Sequence, residues 1–271
     1  MTEVAETVES QSNRRDSALQ WHACYDSNRA MNHTSIRENL LRVQERIDAA
    51  AQRAGRRGQD ITLIGVSKTH PASAICEAYE AGVRHFGENR VQEWEGKHAG
   101  TEGLAATWHL VGHLQSNKAA RAARLFHSVD SVDDFALAQR LDRARGEAGI
   151  IGKLRVLIEV RLAPEETKSG AEVEALPDLI EKVGGLARLE LAGLMCIPPF
   201  LEEPEQVRLY FRRLRELRDT LVAKCDVALP VLSMGMSHDF EVAIEEGATE
   251  VRVGTALFGA REAAEKGIEG N

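Results

Sequence analysis

The sequence predicts a single (β/α)8 barrel, the fold also called a TIM barrel. Eight short apolar runs alternate with amphipathic helical patterns, and several of those patterns end on glycine. Strands that alternate with helices favour a parallel sheet. The 271 residues also fit a closed barrel, whose ordinary size is about 250 residues. A doubly wound open sheet is the alternative, but it usually has a glycine-rich turn after its first strand, where this chain reads SKTHP.

The elements follow one another regularly along the chain. An extra helix is expected first, because Ser35 and Glu38 have the spacing of a capping box and a helical apolar stripe begins beside them. Residues 1–33 are polar and aperiodic, which predicts a disordered extension before a barrel domain at 34–271. The eight predicted strands cover residues 61–67, 83–86, 107–112, 125–129, 154–162, 189–197, 227–234 and 250–258.

Composition excludes several classes of protein. A net charge of −8 argues against nucleic acid and anionic membranes as partners. No apolar run approaches the roughly 18 residues that span a bilayer, and the first residues lack the apolar segment of a secretory signal. The four cysteines are scattered, as in a cytoplasmic protein with reduced thiols. The nine histidines form no HExxH motif, so no metal site is expected.

A barrel places its active site at the carboxyl ends of its strands. The first strand, ITLIGVS, is followed there by Lys68. An apolar barrel mouth disfavours the ammonium form of lysine, and a neutral amine can attack a carbonyl group. If Lys68 faces the barrel interior, strand alternation predicts that Gly65 faces the helices. Lys68 is therefore a candidate Schiff-base lysine, and a solvated lysine at a strand end is the alternative.

The last two strands end in SMGMSHD and RVGTALFG. Ser233 offers a hydroxyl group, and Gly235 would let the backbone approach a ligand closely. Ser237 is predicted to be the N-cap of the next helix, whose first N–H groups favour an anion. Gly254 and Thr255 are expected beside them. Because barrels often bind phosphate at these two loops, the pattern favours a phosphate site over two ordinary glycine turns.

Arg252 is predicted on the same face of the last strand as Gly254. A buried arginine needs a partner, which is either a carboxylate or the ring nitrogen of a cofactor, as in some pyridoxal 5'-phosphate (PLP) enzymes. An amine, a phosphate site and this arginine together predict PLP. Asn89 either contacts the cofactor ring or caps a helix. Lys168 is either a second docking point for an anion or a solvated loop residue.

The sequence resembles the pyridoxal phosphate homeostasis proteins, the YggS/PROSC family. The resemblance runs from about residue 36 to 262. It rests, in order, on VSKTHPASAI, FGENRVQE, WHLVGHLQSNK, TKSG, GLMCIPPF and LSMGMSHDFEVAIEEGATEVRVGTALFGAR. It implies a PLP-binding barrel like the N-terminal domain of alanine racemase, in proteins that lack a robust enzymatic activity and affect the balance of B6 vitamers.

The resemblance also implies roles for individual residues. Lys68 matches the lysine that holds PLP as an internal aldimine, and Arg252 matches the arginine near the ring nitrogen. The phosphate-binding positions of the family match Ser233, Met234, Gly254 and Thr255. Three departures are visible: His70 replaces a common second lysine, His113 stands where proline is frequent, and the first 30-odd residues have no clear counterpart.

Two functions compete, a PLP homeostasis protein without catalytic residues and a PLP-dependent racemase or decarboxylase. Barrel-type PLP enzymes continue into a second, mostly β domain, whereas 13 residues follow the LF of the last strand here. None of the tyrosines Tyr25, Tyr79 and Tyr210 is placed as an opposing base. We therefore favour a monomeric PLP carrier, with PLP-dependent apo-enzymes as candidate partners. A metabolite-responsive module without PLP would make Lys68 incidental.

Overall fold

A closed barrel of eight parallel strands confirms the predicted fold. The computed structural model describes residues 35–163 and 169–259, so the predictions for residues 1–33 and Lys168 lie outside the described residues. Each strand pairs with the next, and the last pairs with the first. The strands are β1 Thr62–Val66, β2 His85–Glu88, β3 Thr107–Leu110, β4 Ser128–Val132, β5 Leu154–Glu159, β6 Leu189–Met195, β7 Val231–Met236 and β8 Glu250–Val253.

Helices connect the strands and form the outer layer of the barrel. The α-helices are α1 Ile36–Arg53, α2 Ala72–Ala81, α3 Val91–His98, α4 Ala119–Leu125, α5 Phe135–Glu147, α6 Leu176–Gly184, α7 Arg208–Cys225, α8 Phe240–Glu245 and α9 Thr255–Phe258. Gly65 faces this layer as predicted, because a Cβ atom there would lie 3.0 Å from Leu257 Cδ2. Within the described residues, no helix is both long and apolar enough to cross a membrane.

The predicted N-terminal helix is α1, and the Ser35–Glu38 capping box is present at its start. Its apolar stripe is buried, and polar contacts join this part of the chain to α8 and α9. Asn39 Nδ2 donates to the Leu257 carbonyl at 3.0 Å, and Arg56 Nη1 donates to the Ile244 carbonyl at 3.2 Å. The extra helix is therefore an integral part of the barrel wall. The buried stripe consists of Ile36, Leu40, Val43, Ile47, Ala50 and Ala51.

Leu40 and Leu41 provide a matched test of this packing, since they are neighbours with 3% and 55% exposure. We expect Leu40→Ala to lower the free energy of unfolding by about 2–5 kcal/mol, because it removes buried methyl groups and leaves a cavity. Leu41→Ala should change it by less than about 0.5 kcal/mol. Urea denaturation of both variants measures the difference. Equal losses would contradict the assignment of the buried face.

Candidate functional site

Lys68 lies in the turn that follows β1. The strand ends at Val66, so strand alternation does not determine the direction of the Lys68 side chain. Lys68 itself is half-buried. The turn is compact, because the His70 N–H donates to the Ser67 carbonyl at 3.1 Å, and Thr69 adopts a positive φ of 67°. Non-glycine residues rarely adopt that conformation, which shows that surrounding contacts hold the turn.

The pairing of β1 with β8 brings the two ends of the described barrel together. Ile64 is in register with Arg252, and a Cβ atom on Gly254 would lie 3.4 Å from the Val66 carbonyl oxygen. Gly254 therefore packs against the last residue of β1, two positions before Lys68. The structure thus brings together the candidate Schiff-base lysine and the candidate phosphate loop, which are far apart in the sequence.

Ser237 joins the loops that follow β7 and β8. Its hydroxyl oxygen accepts hydrogen bonds from the Gly254 and Ala256 N–H groups, both at 3.2 Å. The prediction that Ser237 is the N-cap of the next helix is wrong. α8 begins at Phe240 with Asp239 as N-cap, because β7 continues to Met236 and a short turn separates strand and helix.

The three candidate residues within β7 lie in different environments. Ser233 is buried inside the barrel, and its hydroxyl accepts a hydrogen bond from Arg252. Met234 is fully buried in the main apolar core, on the opposite face of the strand. Gly235 has a φ of +93°, and a Cβ atom there would lie 2.6 Å from Ala243 Cβ. The close approach at Gly235 is therefore with α8.

Arg252 is 4% exposed, and the structure gives it neutral partners. Its Nη1 donates to Ser233 Oγ and its Nη2 to the Cys196 carbonyl, both at 2.8 Å. Among the described residues no carboxylate lies within ion-pair distance of Arg252, so the carboxylate that was one of its two alternative partners is not found there. Burial raises the pKa of the nearby Glu159 carboxyl group, and the charge of Arg252 opposes that rise. The guanidinium group therefore places a positive charge inside the barrel that suits an electron-rich ligand.

Asn89 directly follows β2 at the same end of the barrel and is half-buried. The N-cap of α3 is Arg90, so Asn89 does not have the capping role that was the alternative. A Cβ atom on Gly112 would lie 2.5 Å from the Asn89 carbonyl oxygen, so the loop after β3 packs directly on the Asn89 backbone. Thr255, the first residue of α9, is exposed at the rim.

A largely buried ion cluster beside the Lys68 turn was not predicted from the sequence. It consists of Glu88, Glu93 and Lys97, and Lys97 Nζ also contacts the Ser67 carbonyl at 2.8 Å. Two signals in the sequence could have revealed it. Glu93 and Lys97 are four residues apart on a helix, and Glu88 is a charged residue at the end of an apolar run.

A second polar cluster fills the opposite, amino-terminal end of the barrel interior. His85 Nδ1 lies 3.1 Å from His109 Nε2, and His109 Nδ1 lies 3.1 Å from Asp130 Oδ2. Arg155 Nη2 donates to Glu250 Oε1 at 2.6 Å. The candidate ligand atoms of His109, Asp130 and Glu250 all lie within 4.8 Å of one another, although the sequence predicted no metal site. Arg155 already supplies positive charge to the two carboxylates.

A family model that matches most of this chain shows the class of barrel to which it belongs. Residues 37–262 match the family described as alanine racemase, N-terminal domain. Alanine racemase from Clostridium difficile 630 superposes with a TM-score of 0.64 and 16% identity, over 85% of this chain and 58% of that one. At this identity the likeness concerns the fold alone.

More similar proteins identify the family within that class. A pyridoxal phosphate homeostasis protein from Aquifex aeolicus is 50% identical over 224 residues, 83% of this chain and 97% of that protein. The Pseudomonas aeruginosa protein of the same name is 47% identical, over 84% and 97%. PipY from Synechococcus elongatus, solved with PLP bound, has a TM-score of 0.71 and 42% identity, over 80% of this chain and 100% of that one. The chain belongs to the family of pyridoxal phosphate homeostasis proteins.

The packing of Gly235 generates one prediction. Gly235→Ala should lower the free energy of unfolding by about 2 kcal/mol or more, because the new Cβ meets α8 and the positive φ disfavours alanine. Gly96 in α3 is the control, since a Cβ atom there has no heavy atom within 4 Å. Gly96→Ala should be neutral or stabilising by up to about 1 kcal/mol. Chemical denaturation measures both, and a neutral Gly235→Ala would contradict the packing.

The amino-terminal cluster generates a pH prediction. Burial, followed by the charges of His109 and Arg155, lowers the pKa of His85 to about 4. The unfolded chain therefore binds a proton at His85 at a higher pH than the folded protein does. The contribution of His85 to stability is consequently lost as pH falls from about 6.5 towards about 4. His85→Gln should reduce the loss of stability between pH 7 and pH 5. Urea midpoints of both proteins at the two pH values test this, and identical losses would contradict it.

Proposed function

We propose that this chain binds PLP covalently through Lys68 and acts in intracellular PLP homeostasis without robust catalysis. The observation that carries the proposal is the meeting of three groups at one end of the barrel. Lys68 follows β1, Gly254 packs against Val66 of that strand, and the buried Arg252 guanidinium is bonded to neutral acceptors. The names of the relatives and the PLP-bound state of PipY support the same ligand.

The donors around the β7 and β8 loops suit the phosphate group of this cofactor. The Gly254 and Ala256 N–H groups converge on one oxygen atom, that of Ser237. Backbone N–H groups donate more strongly to a charged oxygen than to a neutral hydroxyl group, so a phosphate oxygen could replace that partner. Thr255 offers an exposed hydroxyl group nearby. Ser233 is bonded to Arg252, and Met234 would contribute through its backbone, since its side chain lies in the core.

When bound, PLP supplies an aldehyde that condenses with an amine, releasing water, and an electron-withdrawing ring. Lys68 is the proposed amine donor at this site. Arg252 carries a permanent positive charge, so beside the ring it would keep the ring nitrogen unprotonated. An unprotonated ring withdraws electrons less strongly, which favours holding the cofactor over demanding carbanion chemistry. Asn89, at the same end of the barrel, is proposed to contact the ring.

The remaining expectations belong to the same proposal. A carrier would act in the cytoplasm as a monomer and deliver PLP to apo-enzymes. The described cysteines Cys76, Cys196 and Cys225 are free thiols, which suits a reducing compartment. The alternative, a racemase or decarboxylase, is tested by incubating the PLP-loaded protein with amino acids and following chirality and release of carbon dioxide. Turnover at ordinary enzyme rates would overturn the carrier function.

Lys68→Ala tests the covalent link. Purified wild-type protein should be yellow with PLP, and borohydride reduction should attach the cofactor to the Lys68 peptide, as read by mass spectrometry. Lys68→Ala should lose the label and remain folded by circular dichroism, because the half-buried side chain lies in a turn.

Lys153→Ala is the control, since Lys153 is exposed and directly precedes β5. It should be labelled as fully as wild type. A wild-type protein whose spectrum does not change on addition of PLP would overturn the proposed cofactor. Label on another lysine would overturn the role of Lys68.

A further inference from the structure

The ion cluster of Glu88, Glu93 and Lys97 is built around a fully satisfied ammonium group. A lysine has three N–H donors. Lys97 Nζ contacts three groups, the Ser67 carbonyl at 2.8 Å, the Glu88 carboxylate at 3.0 and 3.1 Å, and Glu93 Oε1 at 2.9 Å. The Glu88 side chain has no exposed surface, and that of Lys97 is 11% exposed. The cluster therefore satisfies all three donors of Lys97 in a largely buried setting.

The cluster holds the residues on both sides of Lys68. Ser67, which precedes Lys68, makes two hydrogen bonds to the cluster: its hydroxyl donates to Glu88 Oε1 at 2.7 Å and its carbonyl accepts from Lys97. After Lys68, the Thr69 N–H donates to Glu93 Oε1. Burial opposes ionisation of Glu93, but the Thr69 N–H and Lys97 together hold the pKa of its carboxyl group below the ordinary value. The carboxylate form that accepts the Thr69 hydrogen bond is thus the stable one.

The contact with Glu93 also accounts for the strained backbone. Thr69 has a φ of 67°, a left-handed conformation that is costly for a non-glycine residue. The hydrogen bond from its N–H to a carboxylate offsets that cost. On the other side of the turn, the His70 ring stacks on Phe258 of α9, with ring centroids 5.0 Å apart. The Lys68 turn is therefore held between α3 and α9.

Stability alone is a poor explanation for such a cluster. Replacing a buried ion pair by packed apolar side chains is often neutral or stabilising, since desolvation offsets much of the attraction. Here the charges do more than pair with each other. They also bind a hydroxyl group, a carbonyl group and an N–H group of the two residues that flank Lys68.

We propose that Glu93 and Lys97, together with Glu88, are positioning residues that orient Lys68 towards PLP and thereby set the affinity for the cofactor. This inference rests on the proposed function. The cluster acts through Ser67 and Thr69, the two residues that flank Lys68. Loss of the Glu93 contact should let the turn relax, so that Lys68 must be ordered again each time PLP binds.

Glu93→Ala and Glu93→Gln form the decisive pair, because Glu93 lies at the edge of the cluster and its side chain is 25% exposed. Absorbance titration of the apo-protein with PLP measures affinity, and amide hydrogen exchange of residues 67–70 measures the turn. Glu93→Ala should weaken PLP binding about tenfold and accelerate exchange at Thr69, as expected for loss of one hydrogen bond to a charged group. Glu93→Gln keeps an acceptor oxygen and should stay within about threefold of wild type.

Asp178→Ala is the matched control. Asp178 is the acidic partner of Lys182 in an exposed i,i+4 pair on α6, as Glu93 is of Lys97 on α3. This variant should leave PLP affinity and exchange at Thr69 unchanged. Wild-type affinity in Glu93→Ala, or equal losses in Glu93→Ala and Asp178→Ala, would overturn the positioning role. Failure of the wild-type protein to take up PLP is a different result, because it overturns the proposed function itself.

Discussion

The pairing of β8 with β1 is the constraint on which the rest of the structure depends. Four residue pairs, from Thr62 opposite Glu250 to Gly65 opposite Val253, close the described barrel. Closure places the last loops beside the first and aligns all the carboxyl ends at one rim. Without it, Lys68 and Gly254 would lie at opposite edges of an open sheet. The position of the candidate site therefore follows from the strand topology, whereas its chemistry follows from the side chains.

Two largely buried positive charges in the same barrel have different kinds of partners. Arg252 is bonded to a hydroxyl and a carbonyl group, so its positive charge is not neutralised by an ion pair among the described residues. Lys97 is surrounded by Glu88 and Glu93, so its charge is compensated locally. A charge with neutral partners can act on a ligand, whereas a compensated one can hold backbone in place. This difference separates a proposed ligand-facing group from proposed positioning groups.

Much of the fold was predictable, because hydrophobic periodicity is local. Each apolar run overlaps the strand found in the structure, and the capping box marked α1 correctly. The site was predictable at the level of loops and less so at the level of contacts. Ser237 was expected to cap a helix, yet it joins two loops, because the extent of β7 depends on its neighbours. The packing of Gly235 on α8 is a contact that the sequence did not predict.

The sequence by itself determined the order of elements, the amphipathic helix faces and the polar residues at strand ends, since these follow from side-chain chemistry and spacing. The tertiary structure decided which of those residues meet. Burial and pairing depend on contacts between residues far apart in the chain, such as Ser237 with Gly254 or His70 with Phe258. His70 shows this well: its stacking partner, Phe258 of α9, lies at the far end of the described chain and is brought near only by closure of the barrel.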